Sequence, residues 1–266
     1  MTIAAGYLTS EGIVFGTDST TTISTKKGVA QLFNYAQKIF EVGENSRFGV
    51  CTWGGGSVQG VSHRTLIARL ADKLDLKTTK VREAVDTFKE IVSQVYENGT
   101  KTAFVGYLLG GWDPDEHVPE CYQLTFDSKT KGNVEQFSIG EGRFLGCPEF
   151  FSRVFHGFDS KLPSRILNEL KKVELGVPEK EVEKAFNEAY QKAVIPLAAI
   201  GFADLPIREA IDFVHTYLHI TIKAFKFRFG PPICGGPIEI AFVSTDRKFR
   251  WVLHKEFDRA IYEQEP

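Results

Sequence analysis

The sequence predicts an α+β chain folded as a four-layer αββα sandwich, with two antiparallel sheets stacked face to face and helices on both outer faces. Three observations predict it. Strand-like segments arrive in hairpin-spaced groups; blocks of helical periodicity separate the groups; and strict strand–helix alternation, the mark of a parallel sheet, is missing.

The elements follow in order. Residues 2–7 and 12–17 are short strand-like runs joined by Leu8-Thr9-Ser10-Glu11, long enough for a hairpin loop. After a polar stretch at 18–28, strand patterning returns at 37–42 and 48–53 and closes in Gly54-Gly55-Gly56. The period then shifts from two to about 3.6. Leu66, Ile67, Leu70 and Leu74 form one apolar stripe, and Val81, Ala84, Val85, Phe88, Ile91, Val92 and Val95 a longer one that ends at Asn98-Gly99. Strands are expected again at 103–109, 121–126 and 134–139, with 127–132 as a hairpin turn. A second helical block covers 164–175, 179–195 and 205 to about 225, with Asp204 placed to cap the last helix. Strands at 237–244 and 249–253 finish the pattern.

Composition narrows the function classes. The 266 residues carry 32 Lys+Arg against 34 Asp+Glu, a net charge of −2, which argues against a nucleic-acid surface. With 42% hydrophobic and 25% charged residues the chain is globular, and the absence of a linker, repeat or low-complexity tract selects one domain over two. Cys51, Cys121, Cys147 and Cys234 are scattered without a CxxC pair, so neither a zinc site nor a disulfide framework is encoded. They read as reduced thiols of a cytoplasmic protein. The longest apolar run, 193–200, is interrupted by Pro196 and falls short of the roughly 20 residues of a membrane helix. The opening Met1-Thr2-Ile3-Ala4-Ala5-Gly6 is not a secretory leader, and trimming of Met1 would make Thr2 the N-terminal residue.

The first fifty-six residues hold the chemistry. In a hairpin the start of one strand lies beside the end of the next, which brings Thr2 near Asp18, and Lys38 at the start of the third strand can approach both. An N-terminal threonine joins a hydroxyl to an α-amine whose ordinary pKa of about 7.7 to 8.0 suits it to act as general base. A nearby Lys38 favours deprotonation of both groups, Asp18 would hold the lysine, and the Gly54 N–H could receive the developing oxyanion. Taken singly, Thr2 is a strand residue, Asp18 a turn residue, Lys38 a solvated strand end and the triple glycine a plain turn. Their joint order and spacing favour a site.

These residues resemble the proteasome β-subunit type of N-terminal nucleophile (threonine) hydrolases, as a divergent prokaryotic-type member. The resemblance rests on Thr2-Ile3-Ala4-Ala5-Gly6, on Gly12-Ile13-Val14-Phe15-Gly16-Thr17-Asp18-Ser19, on Gln37-Lys38-Ile39-Phe40-Glu41-Val42 and on Gly54-Gly55-Gly56-Ser57. Phe137-Ser138-Ile139-Gly140-Glu141-Gly142 and Cys234-Gly235-Gly236-Pro237 resemble two later segments. The resemblance implies one domain over 1–266 with a helical insertion at about 147–200. It also implies hydrolysis of a peptide or amide substrate by Thr2, and a homo-oligomer; an unfoldase partner is left open. No cofactor, metal, nucleic acid or membrane is expected. The chain departs from the family where Glu141 replaces a serine and where Pro231 and Cys234 replace an aspartate and a serine, so Glu141 and Cys234 become candidates to support the α-amine. An alternative keeps Met1 and makes the chain a non-catalytic scaffold or assembly subunit.

Weaker signals remain. His215 and His219 stand four apart with Asp212, a possible metal spacing that reads better as ordinary helix histidines. Asn98-Gly99-Thr100 matches a glycosylation sequon but reads as a helix-end turn. Lys223, Lys226 and Arg228 interleave with Phe225, Phe227 and Phe229, read as a core-packed helix end with a solvated edge. Trp53, next to the glycine turn, is expected to narrow or fill the adjoining pocket.

Overall fold

The computed structural model describes residues 2–25, 28–97, 103–127, 132–155, 157–159, 161–170, 172–173, 178–193, 202–229 and 233–255. Met1, the 98–100 sequon, Pro231, Pro232 and most of the 193–200 apolar run lie outside them. The chain divides into two compact units, Met1–Gly146 with Gly201–Pro266, and Cys147–Ile200.

In the first unit the elements run β1 (Ala4–Thr9), β2 (Gly12–Thr17), β3 (Thr21–Thr25), β4 (Gly28–Phe33), β5 (Ile39–Glu41) and β6 (Phe48–Gly54). Then come β7 (Ser57–Val58), β8 (Val61–Ser62), α1 (His63–Ala71), α2 (Val81–Glu97), β9 (Val105–Trp112), β10 (Pro119–Phe126), β11 (Asn133–Gln136) and β12 (Gly142–Leu145). The second unit holds α3 (Glu149–Phe155), α4 (Leu162–Leu170) and α5 (Glu179–Ala193), with Phe158 edge-on to Tyr190 at 5.0 Å. The first unit resumes with α6 (Ile207–Phe227), β13 (Glu239–Ser244) and β14 (Arg247–Leu253).

Two five-stranded antiparallel sheets form the centre, ordered β12-β1-β2-β13-β14 and β11-β10-β9-β6-β5. Every residue of β1 and β2 is buried, as is β6 up to Trp53, because each strand is covered by the other sheet on one face and by a helix on the other. One apolar layer, including Leu8, Phe15, Cys51, Trp53 and Leu108, fills the space between the sheets. A second, including Phe48, Leu66, Val85, Phe88 and Tyr107, fills the space between the β6–β9–β10 sheet and helices α1 and α2. On the opposite face α6 covers the β1–β2 sheet, with Phe213 edge-on to Tyr7 at 5.8 Å and Tyr217 at 4.3 Å from Phe144. The four expected layers are therefore present.

Differences from the sequence reading have local causes. The stretch read as polar at 18–28 holds β3, which pairs with β4 in the unread residues after it as a two-stranded sheet separate from the main pair. Its Ile23 is half exposed, so no alternating burial marks it as strand. The edge strand β12 is only partly buried and pairs with β1, Gly142 opposite Tyr7 and Leu145 opposite Ala4. Asp204 does not cap α6: Pro206 occupies the N-cap without a side-chain bond, and Glu11 accepts the Ile207 N–H at 2.9 Å from the β1–β2 turn. At the far end of α6 Phe225 is buried while Phe227 and Phe229 are exposed, so only one of the three packs. Among the described residues no helix is long and apolar enough to cross a membrane.

Close approach in this core depends on glycine. Gly106 on β9 lies directly opposite Trp53 on β6, and a Cβ there would fall 2.2 Å from the indole ring. Gly106→Ala is expected to destabilise the protein by about 1–3 kcal/mol through overpacking, read as a lower urea midpoint with an unchanged m-value.

Candidate active site

Antiparallel pairing builds the site from the hairpin outward. Ala4 faces Thr17, so the next pair outward is Ile3 with Asp18, whose N–H donates to the Ile3 carbonyl at 3.3 Å. Thr2, buried, is thereby carried to the end of the first sheet. In the second sheet Ile39 faces Cys51, and the Thr52 N–H donates to the Lys38 carbonyl at 2.9 Å, which sets Lys38 at the corresponding end of β5.

A buried ion pair joins the two ends. Lys38 Nζ donates to Asp18 Oδ1 at 2.5 Å and to the Thr20 carbonyl at 2.6 Å. The Asp18 carboxylate accepts three further bonds: Ile3 N–H on Oδ1 at 3.2 Å, and Thr20 N–H at 3.2 Å and Gly235 N–H at 3.0 Å on Oδ2. Burial pulls the Lys38 ammonium below its ordinary pKa, against the opposing pull of Asp18. Two of its three donors are engaged, and the ammonium borders a narrow cavity of about 50 Å³. Thr2, Thr52, Trp53, Gly54, Gly55, Gly56 and His63 line the same cavity.

The glycine turn is the opposite wall. Alternation along β6 points the Gly54 N–H to the same edge as that of Thr52, toward β5, while the Gly55 N–H turns the other way and donates to the Phe104 carbonyl at 2.9 Å. Gly54 has a φ of +91°, and a Cβ there would lie 2.6 Å from the Phe104 carbonyl oxygen, so only glycine fits. Trp53 is buried between the sheets and forms part of the cavity wall, leaving little room beside the turn.

Of the residues expected from the sequence, Thr2, Asp18, Lys38, Gly54 and Cys234 come to one place. Cys234 is buried and precedes the Gly235 whose N–H holds Asp18 and whose carbonyl accepts from Ser19. Glu141 is not brought to Thr2, and its role as support for the α-amine is corrected. It sits opposite Leu8, six residues along β1 from Thr2, or roughly 20 Å at the strand rise. Its carboxylate is occupied by Arg143 Nε at 2.6 Å and the Ser138 N–H at 2.8 Å. The residue that meets Thr2 is Gly146, just after β12, where a Cβ would overlap the Thr2 carbonyl oxygen at 1.7 Å.

Two side chains that the sequence reading passed over belong to the surroundings. His63 contacts the Gly55 carbonyl at 2.8 Å and the Tyr107 hydroxyl at 2.9 Å, and burial lowers its pKa. Lys255 reaches the Ser19 hydroxyl at 3.3 Å, the Ala36 carbonyl at 3.1 Å and the fully buried Glu239 at 2.6 Å, bracing the segments that carry Asp18 and Lys38. His215 and His219 have ring centroids 5.9 Å apart on α6, and among the described residues no group of three or more His, Cys, Asp or Glu could hold a metal ion.

The class that the fold defines is the αββα sandwich, and it is shared with solved structures of Anbu proteins. Among solved structures, the Anbu (Gly-1) mutant from Hyphomicrobium sp. strain MC1 superposes with a TM-score of 0.56 at 12% identity, over 96% of this chain and 89% of that one. Anbu from Yersinia bercovieri, described as an ancestral beta-subunit, superposes with a TM-score of 0.54 at 14% identity, over 99% of this chain and 98% of that one. No family model and no curated protein matches the chain. At such identities the likeness carries the fold alone. These findings correct the assignment to the proteasome β-subunit family of threonine hydrolases read from the sequence: these two structures, which share this fold, are those of Anbu proteins.

Neutralising Asp18 isolates the ion pair. Asp18→Asn leaves the Lys38 ammonium buried without its counter-charge, at a cost of about 3–5 kcal/mol in urea unfolding at neutral pH. Because the folded-state pKa of Lys38 lies below the unfolded value, the unfolded chain binds more protons between the two. Stability therefore rises with pH through that window, and the deficit of the variant is expected to shrink as the pH approaches the ordinary lysine value of about 10.4.

Proposed function

We propose that this chain is a threonine-type hydrolase of peptide or amide bonds in which removal of Met1 exposes Thr2 as the N-terminal nucleophile. The observation that carries the reading is the buried Lys38–Asp18 pair, bonded to the backbone next to Thr2 and bordering a cavity that Thr2 and Gly54 share. A buried lysine with a depressed pKa does not stabilise a strand end; it raises the electrostatic potential around whatever titrates beside it.

The free Thr2 α-amine takes the hydroxyl proton as Oγ attacks the substrate carbonyl. Lys38 keeps that amine deprotonated beforehand, Asp18 holds Lys38, and the Gly54 N–H receives the charge on the carbonyl oxygen. The protonated amine then delivers its proton to the leaving nitrogen, giving an ester on Thr2. Water, deprotonated by the same amine, releases the acid. The β-subunit description of the Yersinia bercovieri neighbour supports an assembly of like chains as part of this reading.

The small cavity and the buried Trp53 favour one second reading, a non-catalytic scaffold or assembly subunit that retains Met1. Intact mass of the protein from its native source separates the two, and a chain that keeps Met1 overturns the enzyme. With Thr2 terminal, a peptide epoxyketone, which needs both the hydroxyl and the α-amine, is expected to add one inhibitor mass. Thr2→Ala should abolish the adduct, and Lys38→Ala should slow its formation by about 10²-fold or more while leaving the far-UV spectrum of the fold in place.

A further inference from the structure

A run of three glycines has no side chains to hold it, so each peptide plane of the Gly54–Gly56 turn has to be fixed by a hydrogen bond. The plane ahead of Gly54 is fixed by the ladder between β6 and β9, where Trp53 faces Gly106. The Gly54–Gly55 plane is fixed by the Gly55 N–H, which donates to the Phe104 carbonyl at 2.9 Å. The Gly55–Gly56 plane is met by His63, whose Nε2 lies 2.8 Å from the Gly55 carbonyl oxygen.

The protonation of His63 follows from its partners. A carbonyl oxygen only accepts, so Nε2 carries the proton, and Nδ1 is left to accept from the Tyr107 hydroxyl at 2.9 Å. Tyr107 stands on β9 opposite Thr52, its ring edge-on to His63 at 5.5 Å and to Phe88 at 4.9 Å. Burial disfavours both imidazolium and phenolate, which leaves the chain Tyr107, His63, Gly55 neutral and of fixed polarity. The imidazole is placed by the start of α1, where the Ser62 hydroxyl caps the helix by accepting the Thr65 N–H at 3.1 Å.

We propose that His63 is the positioning residue of the oxyanion turn, holding the Gly55–Gly56 plane and with it the path of the turn that leads away from the Gly54 N–H. This rests on the hydrolase reading for its catalytic consequence, but the hold on the turn exists whether or not Thr2 reacts. Without His63 the Gly55–Gly56 plane is free to rotate, and the Gly54 N–H is left anchored from its β6 side and by the Gly55–Phe104 bond but no longer from the outgoing turn, which weakens its preorganisation.

The test uses the chain with Thr2 terminal as wild type, His63→Ala and His63→Gln; the glutamine amide can still donate to the Gly55 carbonyl. Backbone hydrogen exchange across residues 53–57 is expected to rise at least about tenfold in His63→Ala, to stay near wild type in His63→Gln, and to be unchanged in β9 and α2. Unchanged exchange at the turn, or a rise shared by β9 and α2, overturns the proposal. Two probes then read the consequence: cleavage of a peptide amide, which places charge on a carbonyl oxygen, and alkylation by a peptide vinyl sulfone, which does not. His63→Ala should lose about 10- to 100-fold in kcat for the amide with the alkylation rate within about twofold of wild type. Equal losses with both probes overturn it. A wild-type chain that reacts with neither probe overturns the hydrolase reading instead, and the exchange result alone then decides the hold on the turn.

Discussion

One carboxylate ties this structure together. Asp18 follows the last residue of β2 in one sheet, and its partner Lys38 precedes the first residue of β5 in the other, so their contact spans the gap between the sheets at a single end. Four donors converge on that carboxylate, from Ile3, Thr20, Gly235 and Lys38, and each belongs to a different stretch of chain. A buried charge is tolerable only when it is satisfied, and satisfying this one fixes the path of each of those stretches. The entry to β1, the exit from β2, the approach to β5 and the loop before β13 are therefore fixed together. Thr2 is held where it is by this constraint, since the neighbouring Ile3 N–H is one of the four donors.

A second tier of polar contacts protects the first. Lys255, at the end of the described chain, reaches Ser19 and Ala36, residues one after Asp18 and two before Lys38, and is itself balanced by Glu239 with no exposure to solvent. His254 adds a contact to the other Glu239 oxygen at 2.8 Å and stacks on Trp251 at 4.1 Å. Across the cavity the His63–Tyr107 pair does the corresponding work for the glycine turn. Both walls of the cavity are thus built on strand ends and held by residues that come from outside those strands, the arrangement that keeps polar groups in place without solvent.

How much of this could be read from the sequence depends on how local each signal was. Thr2, Asp18, Lys38 and Gly54 were legible because hairpin geometry relates strand starts to strand ends at short separations, and the glycine turn closes a strand recognisable by its own pattern. The layers were legible because helical stripes such as Leu66, Ile67, Leu70 and Val85, Phe88, Val92 face one side. The β3–β4 ribbon and β12 were not, since an isolated ribbon and a half-buried edge strand bury no alternating face. The Glu141 expectation failed for a related reason. A glycine-flanked residue near the end of a hairpin looks the same at either register, and only the pairing of Gly142 with Tyr7 shows that the strand must run four residues further before it reaches Thr2. His63 and Lys255 act over separations of 8 and 236 residues onto backbone atoms and a serine hydroxyl, which no spacing rule anticipates.

The replacements at Glu141 and Cys234 thus have different meanings. Glu141 left no hole at the site, because its strand delivers Gly146 there instead, and its charge is absorbed by Arg143, which also reaches Glu135 and the carbonyl of Gln136. Cys234 does stand at the site, buried, where its polar contribution is weaker than that of a hydroxyl. Its backbone neighbour Gly235 nevertheless holds this segment at two points, donating its N–H to the Asp18 carboxylate and accepting the Ser19 N–H at its carbonyl. The part of this segment that matters for geometry is carried by main-chain atoms, which a change of side chain cannot remove. The ion pair and its backbone cradle consequently survive side-chain replacement, because three of the four donors on Asp18 are main-chain N–H groups.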